Sequence, residues 1–375
     1  MSSIIQTPGT QLKGIHYVCI AALLFITPLF GVVYLDFPLA QYLEFPPTTK
    51  YIIHALFKWS VFLLLLLFVA AVCFLFLCRL VTHQPYQGKA TKGTFPFPWW
   101  GWLGAVVILV FWVLAWNRFS FFYPLQRYTF FPLWLGYILV INGLSCRWKG
   151  SCLLRAHPRF FLALFPASAL FWWYFEYLNR FVQNWYYLGG ENISAAEYII
   201  HASICFSTVL PAVLSTKEFL WTFPRLVGAF AVWYPVTLPA KKGIGWLLIA
   251  GAVSSLAALA AFPDYLFPMV WISPLLVIVG IQLVTRRPTI FAEVEKGNWQ
   301  HIVLPALAAL ICGFFWEMWN WKSLAHWEYS VPFVHRFQIF AMPLLGYAGY
   351  LPFGLECLAV ATVINEKIND NEQII

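Results

Sequence analysis

Long apolar runs separated by short polar stretches make up most of this chain. A membrane-crossing helix needs about 20 mostly apolar residues, and ten runs come close to that length. The pattern therefore predicts an all-α, polytopic transmembrane helical bundle of about ten helices. The predicted spans are residues 17–35, 55–78, 99–116, 129–145, 160–176, 198–215, 244–262, 265–285, 302–318 and 337–364.

One further apolar segment, residues 219–239, can be interpreted in two ways. It is long enough to cross a membrane, but it contains Pro224, Arg225, Pro235 and Pro239. A re-entrant or interfacial segment fits this sequence as well as an eleventh span does.

The composition excludes an ordinary soluble domain. Of the 375 residues, 61% are apolar and 10% are charged, and the mean hydropathy is +0.73. Soluble domains are about half apolar and about a quarter charged. The formal charge of +8 comes from basic residues between the spans, which points to topology control and anionic lipid. No nucleic-acid partner is expected.

The basic residues also predict an orientation, because cytoplasmic loops are enriched in Lys and Arg. Arg79, Lys89 and Lys92 follow the second span, and the 146–159 loop after the fourth span is the densest basic cluster. These loops lie on one side if both termini are cytoplasmic. We therefore expect a multi-pass protein of the bacterial inner (plasma) membrane.

An internal repeat links the two halves of the chain. The first half reads "FPASALFWWYFEYLNRFVQNWYYLG" and the second reads "LPALAALICGFFWEMWNWKSLAHWEYS". Both run from Pro through small apolar residues and an aromatic cluster to Glu-x-x-Asn. The matching residues are Glu176 and Asn179 with Glu317 and Asn320, and Trp185 with Trp327 after a one-residue slip.

The repeat extends beyond this motif. Glu176 precedes Pro211 by 35 residues, and Glu317 precedes Pro352 by the same 35. Upstream, "GWLGAVV" at Gly101 parallels "GWLLIAG" at Gly245. The predicted organisation is 1–98, an N-terminal two-helix segment; 99–216, a first four-helix repeat; 217–243, a connecting segment; 244–364, a second four-helix repeat; and 365–375, a polar tail.

Such repeats commonly pack about a pseudo-two-fold axis, with the functional site at their interface. If residues 219–239 do not cross the membrane, the two repeats are parallel. Glu176 and Glu317 would then lie in the same leaflet and could face one interior cavity. If the segment crosses, the repeats are inverted and the two Glu lie on opposite sides.

The acidic residues are the candidates for a catalytic role. An ionisable side chain in a span costs about 2.5–3.5 kcal/mol and is a functional hypothesis by default. Each Asn shares a helix face with its Glu and is expected to orient the carboxyl, while burial among aromatic rings favours a protonated general acid. The predicted catalytic residues are Glu317, Glu176 and Glu356, and the predicted substrate-binding residues are Asn320, Asn179, Trp316, Trp319, Trp327, Trp172, Trp185 and Tyr329.

A structural role explains the same residues without catalysis. Glu176 could pair with Arg180 at i+4, and Glu317 could pair with Lys322 or with a headgroup-facing residue. The Trp and Tyr residues could form an interfacial aromatic belt. No Cys/His spacing resembles a metal or haem site, so no metal or cofactor is predicted.

The stretch "WEMWNWKSLAHWEYS…GYLPFGLE" resembles a large set of bacterial polytopic membrane proteins of uncharacterised function. More distantly, it is similar to the integral-membrane lycopene cyclase domain. That domain has two similar multi-helix halves, an acidic–aromatic helix end, a Trp-x-aromatic and a Pro-x-Glu-Glu on the next helix. Matching positions here are Glu317, Trp319, Trp327 and Tyr329, with Pro352 and Glu356 in the spacing Pro-x-x-x-Glu.

The resemblance implies an integral-membrane enzyme that acts on a long apolar lipid, isoprenoid or carotenoid-like. Membrane lipid and such a substrate are the expected partners. The alternative is a non-enzymatic multi-pass protein, either a lipid or small-solute transporter or a structural subunit of a membrane complex. Few polar residues fall at mid-span, which disfavours an ion path.

Overall fold

The fold is that of a computed structural model, which describes residue 12 and residues 14–83, 95–189 and 193–370. Lys89, Lys92 and the last five residues of the predicted polar tail lie outside the described residues. The rest of that predicted tail is helical, because the last helix continues to Asp370.

The predicted all-α bundle is confirmed. Within the described part, seven helices are long and apolar enough to cross a membrane, or eight if one bent pair counts as a span. The helices are α1 (Gly14–Tyr34), α2 (Leu39–Leu43), α3 (Trp59–Thr82), α4 (Trp99–Trp116), α5 (Phe130–Lys149), α6 (Leu153–Ala156), α7 (Pro158–Val182), α8 (Ala195–Phe206), α9 (Val209–Leu220), α10 (Pro224–Ala231), α11 (Lys241–Ala257), α12 (Pro263–Leu266), α13 (Ser273–Val284), α14 (Gln300–Asn320) and α15 (Tyr350–Asp370).

Short strands and 3₁₀ turns complete the chain. Strands β1 (Trp185–Leu188) and β2 (His326–Tyr329) form one two-stranded sheet, and β3 (Gln338–Ile339) and β4 (Met342–Pro343) form another. The 3₁₀ helices are Ser120–Tyr128, Phe267–Trp271, Ala292–Lys296 and Leu344–Gly349.

The predicted spans 160–176 in α7 and 244–262 in α11 are not among the helices that are long and apolar enough to cross. Two other predicted spans follow a different course. The span at 265–285 is bent by 59° between Pro263–Trp271 and Ser273–Val284. Pro274 at the start of α13 has no N–H with which to continue a preceding helix. The span at 337–364 begins only at Leu344, with a 3₁₀ helix that leads into α15, because residues 338–343 form the β3–β4 hairpin. Left-handed backbone at Phe337 and Phe340 is incompatible with a helix there.

The segment at 219–239 starts and finishes at one end of α14. Trp221 packs against the ring of His301 in the first turn of α14. The backbone N–H of Val236 donates to Val294, and Lys241 pairs with Glu295. Helix α10 within the segment spans about 12 Å, too little to cross a membrane. The segment therefore returns to its own side, so the two repeats run parallel.

The bundle thus has two distinct ends. We call the end where α14 begins the basic end, because Arg79, Lys149, Lys217 and Lys241 lie there. We call the end where α14 finishes the glutamate end. Cys146 and Cys152 also lie at the basic end, and both thiols are buried.

Glycines set the same close helix crossing in each half. A Cβ on Gly104 of α4 would lie 2.8 Å from the backbone oxygen of Gly136 in α5, and a Cβ on Gly245 of α11 would lie 2.7 Å from that of Gly280 in α13. Small residues permit such an approach. Gly104 therefore corresponds to Gly245, and the predicted match of Gly101 was wrong by three residues.

The β1–β2 sheet, which we call the aromatic ribbon, joins the two halves. Its antiparallel register places Trp185 opposite Tyr329 and Tyr187 opposite Trp327. Trp185 and Tyr187 of the first half correspond to Trp327 and Tyr329 of the second. Exchanging the halves therefore maps the ribbon onto itself, as a two-fold axis through its centre requires.

We expect the basic end to be cytoplasmic, because Lys and Arg concentrate there. An impermeant maleimide should label Phe121→Cys, at the exposed glutamate end, in intact spheroplasts. Arg155→Cys, exposed at the basic end, should react only after the membrane is opened. The chain with its native cysteines is the background control. The reverse labelling pattern would invert the orientation.

Candidate functional site

The candidate site lies at the glutamate end, under the aromatic ribbon. Helix α7 carries Glu176 in its last two turns and α14 carries Glu317 in its last turn. After each helix the chain folds back as one strand of the ribbon. Trp185, Tyr187 and Tyr329 alternate along their strands, so their side chains leave the same face of the sheet.

The two asparagines hold the ribbon rather than the carboxyls. Asn179 donates from Nδ2 to the backbone oxygen of Trp185 at 2.7 Å and accepts from the backbone N–H of Asn184 at 2.9 Å. Asn320 donates to the oxygen of Trp327 and accepts from its N–H, both at 2.7 Å. The expectation that each Asn orients its Glu directly was wrong, since an amide satisfied by backbone groups cannot also bind the carboxyl.

Glu176 is held by three donors on one oxygen. Its Oε1 accepts from Trp172 Nε1 at 3.0 Å, from Trp185 Nε1 at 3.1 Å and from the Tyr187 hydroxyl at 2.6 Å. The residue is 7% exposed. Hydrogen bonds to the carboxylate offset the cost of burying it.

Glu317 is held in a similar way but keeps one oxygen unbound. Its Oε1 accepts from the hydroxyls of Tyr329 at 2.6 Å and Tyr350 at 2.7 Å, and Trp327 donates to the Tyr329 hydroxyl at 2.7 Å. The residue is 0% exposed, and its Oε2 has no hydrogen-bond partner.

Each Glu accepts one further hydrogen bond from a side chain outside the ribbon, and that side chain comes from a different position in each half. Trp172 stands one turn before Glu176, and the matching position before Glu317 is Gly313. The ring of Tyr350 fills the space that a side chain at Gly313 would need. The position matching Tyr350 in the first half is Val209. A Trp–Val pair in one half is thus replaced by a Gly–Tyr pair in the other.

The predicted pocket tryptophans pack between the two glutamates. Trp172 and Trp316 meet across the halves with ring centroids 6.5 Å apart, and Phe353 contacts both. Trp319 is fully buried against Trp134 at 5.2 Å. The interior cavity expected between the glutamates is therefore filled by aromatic rings.

Glu356 lies apart from the ribbon. It is 0% exposed on α15, and it follows Tyr350 by about 9 Å along the helix axis. The backbone amide of Leu275 in the first turn of α13 faces the carboxyl, but neither carboxyl oxygen has a hydrogen bond of ordinary geometry. The matching residue of the first half is Ser215, which accepts from Asn142 at 2.8 Å.

The proposed local ion pairs are not formed. Arg180 pairs with Glu44 at 3.1 Å rather than with Glu176. The Lys322 ammonium lies over the rings of Trp116 and Trp321 rather than beside Glu317. Tyrosine and tryptophan donors therefore hold both carboxyls where the sequence suggested cations.

Two residues of the site were not predicted. Tyr187 carries a signal, because Trp-x-Tyr occurs after Glu-x-x-Asn in both halves. Tyr350 reaches Glu317 from the following helix, 33 residues away, and no local spacing indicates such a contact. No group of three or more His, Cys, Asp or Glu that could hold a metal occurs among residues 14–83, 95–189 and 193–370.

Comparisons of the chain with protein-family models, curated proteins and solved structures found no match. The resemblance to the lycopene cyclase domain stays a prediction, and residue roles rest on the geometry above.

Replacing Asn320 with Ala should destabilise the fold by about 2 kcal/mol, because the Trp327 backbone loses both partners in a buried site. Thermal unfolding in detergent measures the change. Asn117→Ala is the matched control, since Asn117 is exposed and bonds only within its own helix end. Equal effects of the two substitutions would contradict the proposal that Asn320 holds the Trp327 backbone in place.

Exchanging the donor pair tests the correspondence between the halves. Gly313→Trp should clash with the Tyr350 ring, and Tyr350→Val should remove a donor from Glu317, so each change alone destabilises the protein. Together they recreate the Trp172–Val209 arrangement. We expect a favourable coupling free energy of about 1–3 kcal/mol in a double-mutant unfolding cycle. Simple additivity would contradict the proposed equivalence.

Proposed function

We propose that the protein is an integral-membrane enzyme that acts by acid/base chemistry on a long apolar lipid, isoprenoid or carotenoid-like. One observation carries the proposal: two fully buried carboxyls, Glu317 and Glu356, retain oxygens without hydrogen bonds beside an aromatic interior. An unsatisfied buried polar group costs about 1–3 kcal/mol. Retaining two such groups on adjoining helices is more consistent with a chemical role than with stability alone.

Glu317 is suited to be the acid. Tyr329 and Tyr350 bind Oε1 and fix the carboxyl, which leaves Oε2 to carry the proton. Transfer of that proton to a carbon–carbon double bond of the substrate would create a carbocation. The faces of Trp316 and Trp172 would stabilise the positive charge.

Glu356 is suited to complete the reaction as the accessory group. As a carboxylate it would accept a proton from the carbon next to the cation, and a new double bond would form. The substrate then gains one proton and loses one. The result is an isomerisation or ring closure that needs no oxidant, reductant or cofactor.

Glu176 has a supporting role in this proposal. Three donors converge on its Oε1 and hold this carboxyl in place. It anchors the ribbon, and the ribbon in turn places Tyr329 on Glu317. Glu176, Asn179 and Asn320 therefore act as positioning residues.

A transporter is the second candidate, and one observation favours it. The 59° break between Pro263–Trp271 and Ser273–Val284 divides a candidate span, and the first turn of α13 faces the buried Glu356. Transporters use broken helices of this kind at their substrate sites. On this hypothesis Glu356 binds a solute, and no covalent change occurs.

Mass spectrometry of lipid extracts separates the two functions. Cells that express the chain should contain an apolar lipid of altered structure that cells without it lack. Glu317→Gln should reduce that product by at least about 100-fold, as loss of a general acid does, while the folded protein remains in the membrane.

Glu328→Gln is the matched control, since Glu328 lies on the ribbon opposite Tyr186 and bonds only at that outer face. It should leave the product unchanged. Identical lipid extracts with and without the protein would contradict the enzyme. A lipid that changes only its membrane leaflet or its cellular location would favour transport.

A further inference from the structure

A second candidate site lies at the basic end, far from the glutamates. A cavity of about 650 Å³ opens between the start of α11 and the end of α13. Ligand sites commonly measure about 300–1,000 Å³. We call this cavity the basic cleft. Residues that line it include Lys241, Lys242, Gly243, Leu283, Arg286 and Arg287.

The cleft exists because α13 ends early. The backbone N–H groups of Arg286 and Arg287 donate to the oxygens of Leu283 and Gln282, which is the Schellman pattern that closes a helix. Arg286 has a φ of 57°, in the left-handed conformation that usually belongs to glycine. The matching helix α5 continues to Lys149, beyond the position equivalent to this stop.

The equivalent space in the first half is closed by the chain itself. The correspondence of Gly104 with Gly245 and of Gly136 with Gly280 places Gly101 at the position of Lys242, and Gly143 at that of Arg287. A Cβ on Gly101 would lie 2.5 Å from the Phe97 ring, and a Cβ on Gly143 would lie 2.7 Å from the same ring. A phenyl ring thus occupies the space that is open and cationic in the second half.

The charge of the cleft is only partly balanced. Lys241 pairs with Glu295 at 2.6 Å. Among the described residues, no ion-pair partner is present for Lys242 or Arg286. The first backbone N–H groups of the 17-residue helix α11 also lie at the cleft, and a helix N-terminus favours anions. The site therefore suits a phosphate-bearing group.

The residues beside the basic cleft indicate which kind of molecule carries the phosphate. One turn further along α11, Trp246 and Leu247 are exposed, Leu247 to 72%. These apolar side chains would contact acyl chains below a headgroup. Basic pockets between helices at the cytoplasmic surface bind anionic lipid headgroups. We propose that the basic cleft binds the phosphate-bearing headgroup of an anionic phospholipid.

Native mass spectrometry of the whole protein, released from nanodiscs, tests this. Nanodiscs would contain phosphatidylglycerol or phosphatidylcholine. We expect one retained phosphatidylglycerol and no retained phosphatidylcholine. Lys242→Gln with Arg286→Gln should weaken phosphatidylglycerol binding at least about ten-fold, because each cation near the surface contributes to such binding.

A second variant separates the cleft from general surface charge. Gly243→Trp fills the cleft without changing any charge, and an added Cβ at Gly243 meets no atom within 4 Å. It should weaken binding as strongly as the charge variant. Arg147→Gln with Arg155→Gln is the control, since it removes two exposed charges from the same end.

Each other result would overturn the proposal. Equal loss in the Arg147/Arg155 control would show general electrostatic attraction. Retained binding in Gly243→Trp would place the lipid elsewhere. Release of the lipid by 10 mM inorganic phosphate would assign the cleft to a free phosphate compound instead of a lipid. The glutamates lie at the other end of α14, about 25 Å away, so failure here leaves the proposed enzyme untouched.

Discussion

A carboxyl group buried among aromatic rings needs hydrogen-bond donors, and the glutamate end is organised around that requirement. Glu176 and Glu317 each sit near a helix end, where the chain can fold back and bring donors to them. Strand β1 brings Trp185 and Tyr187 to Glu176, and β2 brings Tyr329 to Glu317, with Trp327 donating to the Tyr329 hydroxyl. Because the two strands pair with each other, the same donors that satisfy the carboxyls also hold the two repeats together.

The repeats differ at the places where chemistry is proposed. In the first half Glu176 accepts three hydrogen bonds, and Ser215 accepts one from Asn142. The second half leaves one oxygen of Glu317 without a hydrogen bond and has Glu356 in place of Ser215. Its cleft is open, whereas the first is plugged by a ring. The second repeat thus holds the acidic oxygens whose burial without hydrogen bonds is costly.

Sequence patterns predicted the helices and the acidic pair, because hydropathy and a repeated Glu-x-x-Asn depend on local spacing. They failed where a contact joins distant elements. The role of Asn320 depends on a strand that follows a loop, and the bond from Tyr350 comes from another helix. Apolar composition alone also could not show that residues 338–343 form a hairpin, since its pairing is set by backbone contacts.

That hairpin bears on how an apolar substrate would reach Glu317. A spanning helix was expected at 337–364, but the wall beside the end of α14 is formed by the β3–β4 hairpin and a 3₁₀ turn. Phe340 of this wall packs on Phe314 and Trp321, and Tyr350 directly after it binds Glu317. A helix resists opening because each turn is tied to the next by backbone hydrogen bonds. A two-residue ladder and a 3₁₀ turn have few such ties. The wall closest to the proposed acid is therefore held by fewer backbone hydrogen bonds than a helix of the same length would have. Movement there would also shift Tyr350, so opening the wall and releasing one donor from Glu317 would be a single event.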